Sequence, residues 1–263
     1  TIENYQERLS TINMSNSVFV PGHITGFFTI ENHEIKLKNG SCGVGFLLSQ
    51  GVKTTISPAE SLTVDVNQGD SIIIDEILSI LDIDTDFKVT QDIQLPIGAG
   101  FGTSAASALS LTMALNEFLS LGYSEELCGQ IAHMAEVNLS GGLGDVIGQT
   151  GRGLVLRTKP GAPGIGEIES FDTEDIYIGW KTFGGIETSS IIKDPHHKQV
   201  ISEVGGKYLE MFEKEPNIEN FLAFSNGFSQ ETKLMSGEVK DLIDYFNSSA
   251  NILGSSMAML GNN

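Results

Sequence analysis

Apolar and turn-forming residues alternate in short blocks over the first 95 positions of the chain. Ser-Val-Phe-Val from Ser17, then Pro-Gly-His-Ile-Thr-Gly, then Phe-Phe-Thr-Ile to Ile30 predict strand, turn, strand. Ser41 to Leu48 follows an Asn39-Gly40 pair, a hairpin signal. Thr54–Ile56, Leu62–Val66 and Ile72–Ile74 predict further short strands, and the alternation of Phe87–Leu95 predicts another. The period then changes. Ala105, Ala108, Leu109, Thr112, Leu115 and Leu119 mark one face of a helix over Ser104–Leu121. Ser124–Asn138 opens on Ser-Glu-Glu and carries Leu127, Ile131 and Ala135, the pattern of a capped helix with an acidic first turn. Gly153–Thr158 predicts a strand, and Pro160–Glu167 a turn-rich joint. A strand is expected at Ile176–Phe183, with helices at Val200–Glu213, Ile218–Phe228 and Glu238–Asn247. Residues 1–16 form a polar extension with some helical character.

A β-rich start followed by a helical middle, without strict strand–helix alternation, places the chain in the α+β class. The joint near residue 165 predicts two domains, 1–165 and 166–263.

Composition narrows the function. With 263 residues and 40% hydrophobic content, the chain can bury a full core. No apolar run reaches the roughly 18 residues of a membrane span, and the N-terminus lacks a signal-peptide pattern. A formal charge of −19 disfavours nucleic-acid and anionic-membrane partners. An anionic small molecule remains open, because backbone N–H groups can hold one. Cys42 and Cys128 match no zinc or redox spacing, so two free thiols in a reducing cytoplasm are expected. The first residue is not Met, so we expect a sequence that is not the whole gene product.

One segment carries chemistry. Pro96-Ile97-Gly98-Ala99-Gly100-Phe101-Gly102-Thr103-Ser104-Ala105-Ala106 follows a predicted strand and opens a predicted helix. Its glycines allow positive φ and close ligand approach. The unpaired N–H groups of a helix start favour an anion. Thr103 and Ser104 add hydroxyls for phosphate or metal. The glycine spacing is not that of a Rossmann fingerprint, and a Walker loop would end in Gly-Lys-Ser/Thr, whereas no Lys is present. The run instead resembles the phosphate loop of the GHMP kinases, named for galactokinase, homoserine kinase, mevalonate kinase and phosphomevalonate kinase. Their signature is Pro followed by Gly-x-Gly-Leu-Gly-Ser-Ser-Ala-Ala; here Phe101 replaces Leu and Thr103 the first Ser.

That resemblance implies a two-domain fold, with a ribosomal protein S5 domain 2-like N-terminal domain and a ferredoxin-like C-terminal domain. It implies ATP and Mg²⁺ as cofactors, with phosphates held by Gly98, Ala99, Gly100, Phe101, Gly102, Thr103, Ser104 and Ala105. By the same resemblance Ser104 and Glu136 hold the metal, and Asp145, in Gly-Gly-Leu-Gly-Asp, acts on the substrate hydroxyl. From the residues alone, Glu136 could equally lie on a solvated helix face and Asp145 serve an Asx-type turn.

Within the family, Pro21-Gly22-His23-Ile24-Thr25-Gly26-Phe27-Phe28 looks like the archaeal pantoate kinases. So do Gly40-Ser41-Cys42-Gly43-Val44-Gly45, the stretch from Ala132 to Gly153, and the tail Gly254–Asn262. An Arg is expected at position 42 in that group, where this chain has Cys. The implied reaction is ATP-dependent phosphorylation of the primary hydroxyl of pantoate to 4-phosphopantoate, for coenzyme A synthesis. His23, Ser41 and Arg152 are the candidate holders of the substrate carboxylate. A homodimer is compatible with this reading. Another kinase of the family (homoserine, mevalonate or shikimate type) and a non-catalytic ligand-binding regulator of the same fold are the alternatives.

Overall fold

The computed structural model describes residues 16–173, 176–183, 195–249 and 251–259. The expected N-terminal extension, except Asn16, and the end of the tail from Leu260 lie outside the described residues.

Six strands form one sheet: β1 (Asn16–Phe28), β2 (Gly43–Pro58), β3 (Thr63–Val66), β4 (Phe87–Ile93), β5 (Leu154–Lys159) and β6 (Glu167–Phe171). The hydrogen-bonded path is β3-β4-β2-β5-β6, with β1 also paired to β2. Strand β2 is the spine. Its second half pairs with β4 from Val52 to Pro58, its first half with β5 from Gly43 to Phe46, and β1 runs antiparallel to both halves. β3 lies parallel to β4. The helices are α1 (Ile72–Leu81), α2 (Thr103–Phe118), α3 (Glu125–Asn138), the short α4 (Asp145–Gly148), α5 (Pro195–Phe212), α6 (Ile218–Glu231) and α7 (Gly237–Asn247).

Two cores flank the spine. One packs Val52, Ile56, Phe87 and Val89 of the sheet against Ile74 and Ile77 of α1, Leu111 and Leu115 of α2, and Ala132 of α3. The other packs Phe27, Val44 and Leu156 against Phe212, Phe221 and Phe228 of α5 and α6, and Ile243 of α7. α2 is buried nearly all round, from Thr103 to Phe118. It therefore needs its polar side chains satisfied internally. Gln91 of β4 does this: its Nε2 donates to Thr54 Oγ1 (2.8 Å), and Ser107 Oγ donates to its Oε1 (2.6 Å). The cap at Ser124 accepts from the Leu127 N–H, as the Ser-Glu-Glu opening predicts.

Three expected elements are corrected. Pro21–Gly26 is no turn: β1 runs through it, with irregularities between Pro21 and His23 and between Thr25 and Phe27. Bulges absorb the Pro and Gly that local reading assigns to a reversal. Ile72–Ile74 begins α1 and is no strand, because Ile74, Ile77 and Leu78 recur at helical spacing and bury one face. Among the described residues Ile176–Phe183 carries no strand. The strand there is instead β6, a polar edge pairing with β5 past residue 165. After β6 the described residues add only helices.

Candidate active site

The glycine-rich segment joins β4 to α2, so a rigid strand and a buried helix fix both of its ends. Gly98, Gly100 and Gly102 have φ of 72°, 75° and 61°, conformations that side-chain-bearing residues rarely adopt. Gly102 immediately precedes α2, and the helix starts at Thr103 with no side chain capping its N–H groups. The start of α2 thus opens onto a cleft of about 190 Å³. Gly98, Gly100, Gly102, Thr103, Ser104 and Ala105 line it, with Phe101 turned inward as a buried anchor.

The opposite walls carry the two acids. Glu136, near the end of α3, is 2% exposed. Its Oε1 accepts from Ser104 Oγ (2.5 Å) and its Oε2 from the Gly142 N–H (3.1 Å). Burial pushes its pKa up to about 7, with the nearby Asp145 charge adding to the rise, and the two hydrogen bonds only partly oppose it. Asp145 opens α4, and its Oδ1 lies 2.8 Å from His23 Nδ1. Burial would raise Asp145, but the hydrogen bond from His23 and the charge of Arg157 outweigh it and hold the carboxyl below its ordinary range. The chain passes between the acids as Gly141-Gly142, where a Cβ would meet Glu136 Oε2 at 2.6 Å or Asp145 Oδ2 at 2.4 Å.

The structure thus brings the phosphate loop, Ser104, Glu136, Asp145 and Ser41 to one cleft. It does not bring Arg152 there: that side chain is 74% exposed and pairs with Asp172. His23 is fully buried behind the cleft wall, with its ring between Asp145 and Arg157. Cys42 is half-buried, and its thiol points to the Thr158 carbonyl.

Two residues escaped the sequence reading. Arg157 is buried on β5 and lines the cleft. Its Nε donates to the Ser41 carbonyl (3.3 Å), and a Cβ at Gly144 would fall 2.7 Å from that nitrogen. The available signal was a cation following Leu154-Val155-Leu156 in a buried strand, where a charge needs a purpose. Gln149, just past α4, donates from Nε2 to the Gly102 carbonyl (2.8 Å) and so ties the phosphate loop to the Asp145 helix. Nothing in its local pattern marks it.

A larger cavity of about 620 Å³ lies on the far side of Phe101, walled by Phe46, Trp180, Phe221, Leu222 and Phe246. Lys181 is the one charged residue on its described walls.

Comparison with known proteins agrees with this geometry. Residues 73–152, which span the glycine-rich loop and both acids, match the family model of the GHMP kinases N terminal domain. The pantoate kinase of Methanocaldococcus jannaschii is 34% identical over 249 residues, covering 93% of this chain and 90% of that protein. The pantoate kinase of Thermococcus kodakarensis is 35% identical, covering 85% of this chain and 78% of its own length. A solved structure described as a phosphotransferase related to the CoA biosynthesis pathway superposes with a TM-score of 0.81 at 32% identity, over 94% of this chain and 85% of that one. By sequence and by fold, this chain belongs to the pantoate kinase family within the GHMP kinases.

Proposed function

We propose that this protein transfers the terminal phosphoryl group of ATP to the primary hydroxyl of pantoate, giving 4-phosphopantoate. The observation that carries the reading is the pairing, across one small cleft, of a glycine-rich helix start with an ionised, positively flanked carboxylate at Asp145.

The residues divide the work. Backbone N–H groups from Gly98 to Ala105 cradle the phosphates. Ser104 and Glu136 supply two adjacent hard oxygen donors, which fit Mg²⁺. Among the described residues no three acidic, His or Cys side chains form an all-protein cage; a cation completed by phosphate oxygens and water suits such a pair. Bound there, Mg²⁺ would neutralise phosphate charge and remove the cost of ionising buried Glu136. Asp145 orients the attacking hydroxyl and receives its proton as the bond to phosphorus forms. Its low affinity for protons suits a loose transition state, in which the hydroxyl proton departs late. Arg157 and Ser41 hold the pantoate carboxylate; a guanidinium grips a carboxylate through paired N–H donors. Arg157 thus fills the role that the sequence reading gave to Arg152. It also supplies, from β5, the cation expected at position 42.

Among the described residues no helix is long and apolar enough to cross a membrane, and both cysteines are free thiols. The test is ADP release with pantoate, mevalonate, homoserine, shikimate and galactose assayed in parallel. Turnover of pantoate alone is expected, and its loss with EDTA. Turnover of another alcohol with none of pantoate overturns the assignment.

A further inference from the structure

His23 sits where four parts of the site meet, yet it touches no open space. The irregularity of β1 between Pro21 and His23 turns the side chain inward, and the residue is 0% exposed. Its backbone N–H donates to the Phe101 carbonyl of the phosphate loop (2.9 Å). Its ring occupies a slot cut by two glycines: a Cβ at Gly45 would lie 2.3 Å from Nε2, and one at Gly148 2.8 Å. A side chain in such a slot cannot bind substrate. It can only hold what stands on either side.

The two sides dictate the proton. On one side, the Asp145 carboxylate is an acceptor and stands 2.8 Å from Nδ1, so Nδ1 must carry hydrogen. On the other, Arg157 Nη1 is a donor and stands 3.5 Å from Nε2, at the outer limit of a hydrogen bond, so Nε2 must present its lone pair. Both neighbours demand the same neutral tautomer. Burial, the largest influence on the ring, also favours the neutral form.

We propose that His23 is a positioning residue that locks Asp145 through Nδ1–H and, through a bare Nε2 facing Arg157, links the substrate's acid group to the base. This rests on the roles given above to Asp145 and Arg157. The guanidinium is shared between Nε2 of His23 and the Ser41 carbonyl. A substrate carboxylate takes up Arg157 donors, and the change is passed to the ring and hence to Asp145. Acid-bearing alcohols are then favoured in kcat as well as in KM.

The ring has two nitrogens that different amides can replace. His23→Asn places an amide N–H near Nδ1; His23→Gln places one near Nε2; His23→Leu replaces neither. With pantoate and ATP, His23→Asn is expected to keep kcat within about tenfold of wild type. His23→Gln and His23→Leu are expected to lose about 100-fold or more, the scale set by a misplaced catalytic group, while KM for ATP and Tm stay near wild type. Equal losses in Asn and Gln variants, or near-normal kcat in the Leu variant, overturn the proposal. An independent arm needs no turnover: ¹⁵N NMR of the wild-type protein, with the His23 signals assigned by their loss in either amide variant. Protonated Nδ1 and bare Nε2 are expected, with the Nε2 resonance moving when pantoate is added. A proton on Nε2 overturns the proposal. Absence of pantoate turnover by wild type would instead remove the substrate assignment, and the NMR tautomer would still decide the role of His23 as the lock on Asp145.

Discussion

The two carboxylates of the cleft, Glu136 buried and Asp145 part-buried, end in opposite electrostatic states. Glu136 forms no ion pair among the described residues, so burial prevails and its pKa climbs to about 7. Asp145 is only part-buried, its side chain 24% exposed, and with His23 and Arg157 beside it the carboxyl stays ionised. The lesson is that the neighbours, added to a difference in depth, decide the charge state here. One wall of the cleft is finished by the protein itself. The other lacks a cation, and a metal brought in with nucleotide phosphates would supply it.

The comparison can be broken most sharply at the finished wall. Asp145→Ala removes the proposed acceptor of the hydroxyl proton, and kcat is expected to fall by about 10²–10⁴-fold. Nucleotide affinity measured by calorimetry should stay close to wild type. Parallel losses of binding and turnover would mean that Asp145 belongs to the phosphate side after all.

At the unfinished wall, Glu136→Gln keeps the shape and removes the charge. The Mg²⁺ concentration that gives half-maximal rate should rise by at least tenfold, with kcat also reduced. An unchanged Mg²⁺ titration would take Glu136 out of the metal site.

The same contrast has a signature in stability. In metal-free protein, the unfolded chain ionises at position 136 near 4.5 and the folded chain only near 7. A group with a raised folded pKa favours folding at low pH, and that advantage is lost as pH climbs between the two values. At 1.36 kcal/mol per pKa unit the loss is about 3 kcal/mol. Urea unfolding of wild type in EDTA at pH 5 and pH 8 should show it, and Glu136→Gln should flatten it. Asp145, with its lowered value, is ionised in both states over this window and adds no slope.

The smallest effect is expected at the strut between the walls. Gln149→Leu removes the donor to the Gly102 carbonyl. That carbonyl keeps the Ala106 N–H, so the loss is one hydrogen bond of about 0.5–1.5 kcal/mol, and KM for ATP should rise about two- to tenfold, with KM for pantoate nearly unchanged.

How much of this was legible beforehand differs from one element to the next. α2 and α3 were readable because their apolar spacing and the Ser124 cap are local signals. α1 was misread because Ile72-Ile73-Ile74 is β-branched, and only the packing of Ile74, Ile77 and Leu78 onto the first core makes it a helix. Pro21–Gly26 was misread because a long strand with irregularities spells the same residues as a turn. In the site, Ser104, Glu136 and Asp145 could be picked out because the phosphate loop anchors a known pattern. Arg152 stood out because a loop cation looks available, and Arg157 passed unremarked because a strand cation does not. The fold reverses this by exposing the first and lining the cleft with the second.

The sequence by itself determined that this chain has a glycine-rich loop opening a helix, the local form of an anion cradle. Glycine spacing, a following helix and paired hydroxyls are written within a dozen consecutive residues, and their conformational preferences are local. Tertiary structure alone decided what that loop faces. His23, Asp145 and Arg157 come from β1, the start of α4 and β5, more than a hundred positions apart at the extremes. No local preference connects them. They meet because the long β2 strand pairs with β1 and β5 on its two edges and leaves, at Gly45, the room for an imidazole between an acid and a guanidinium.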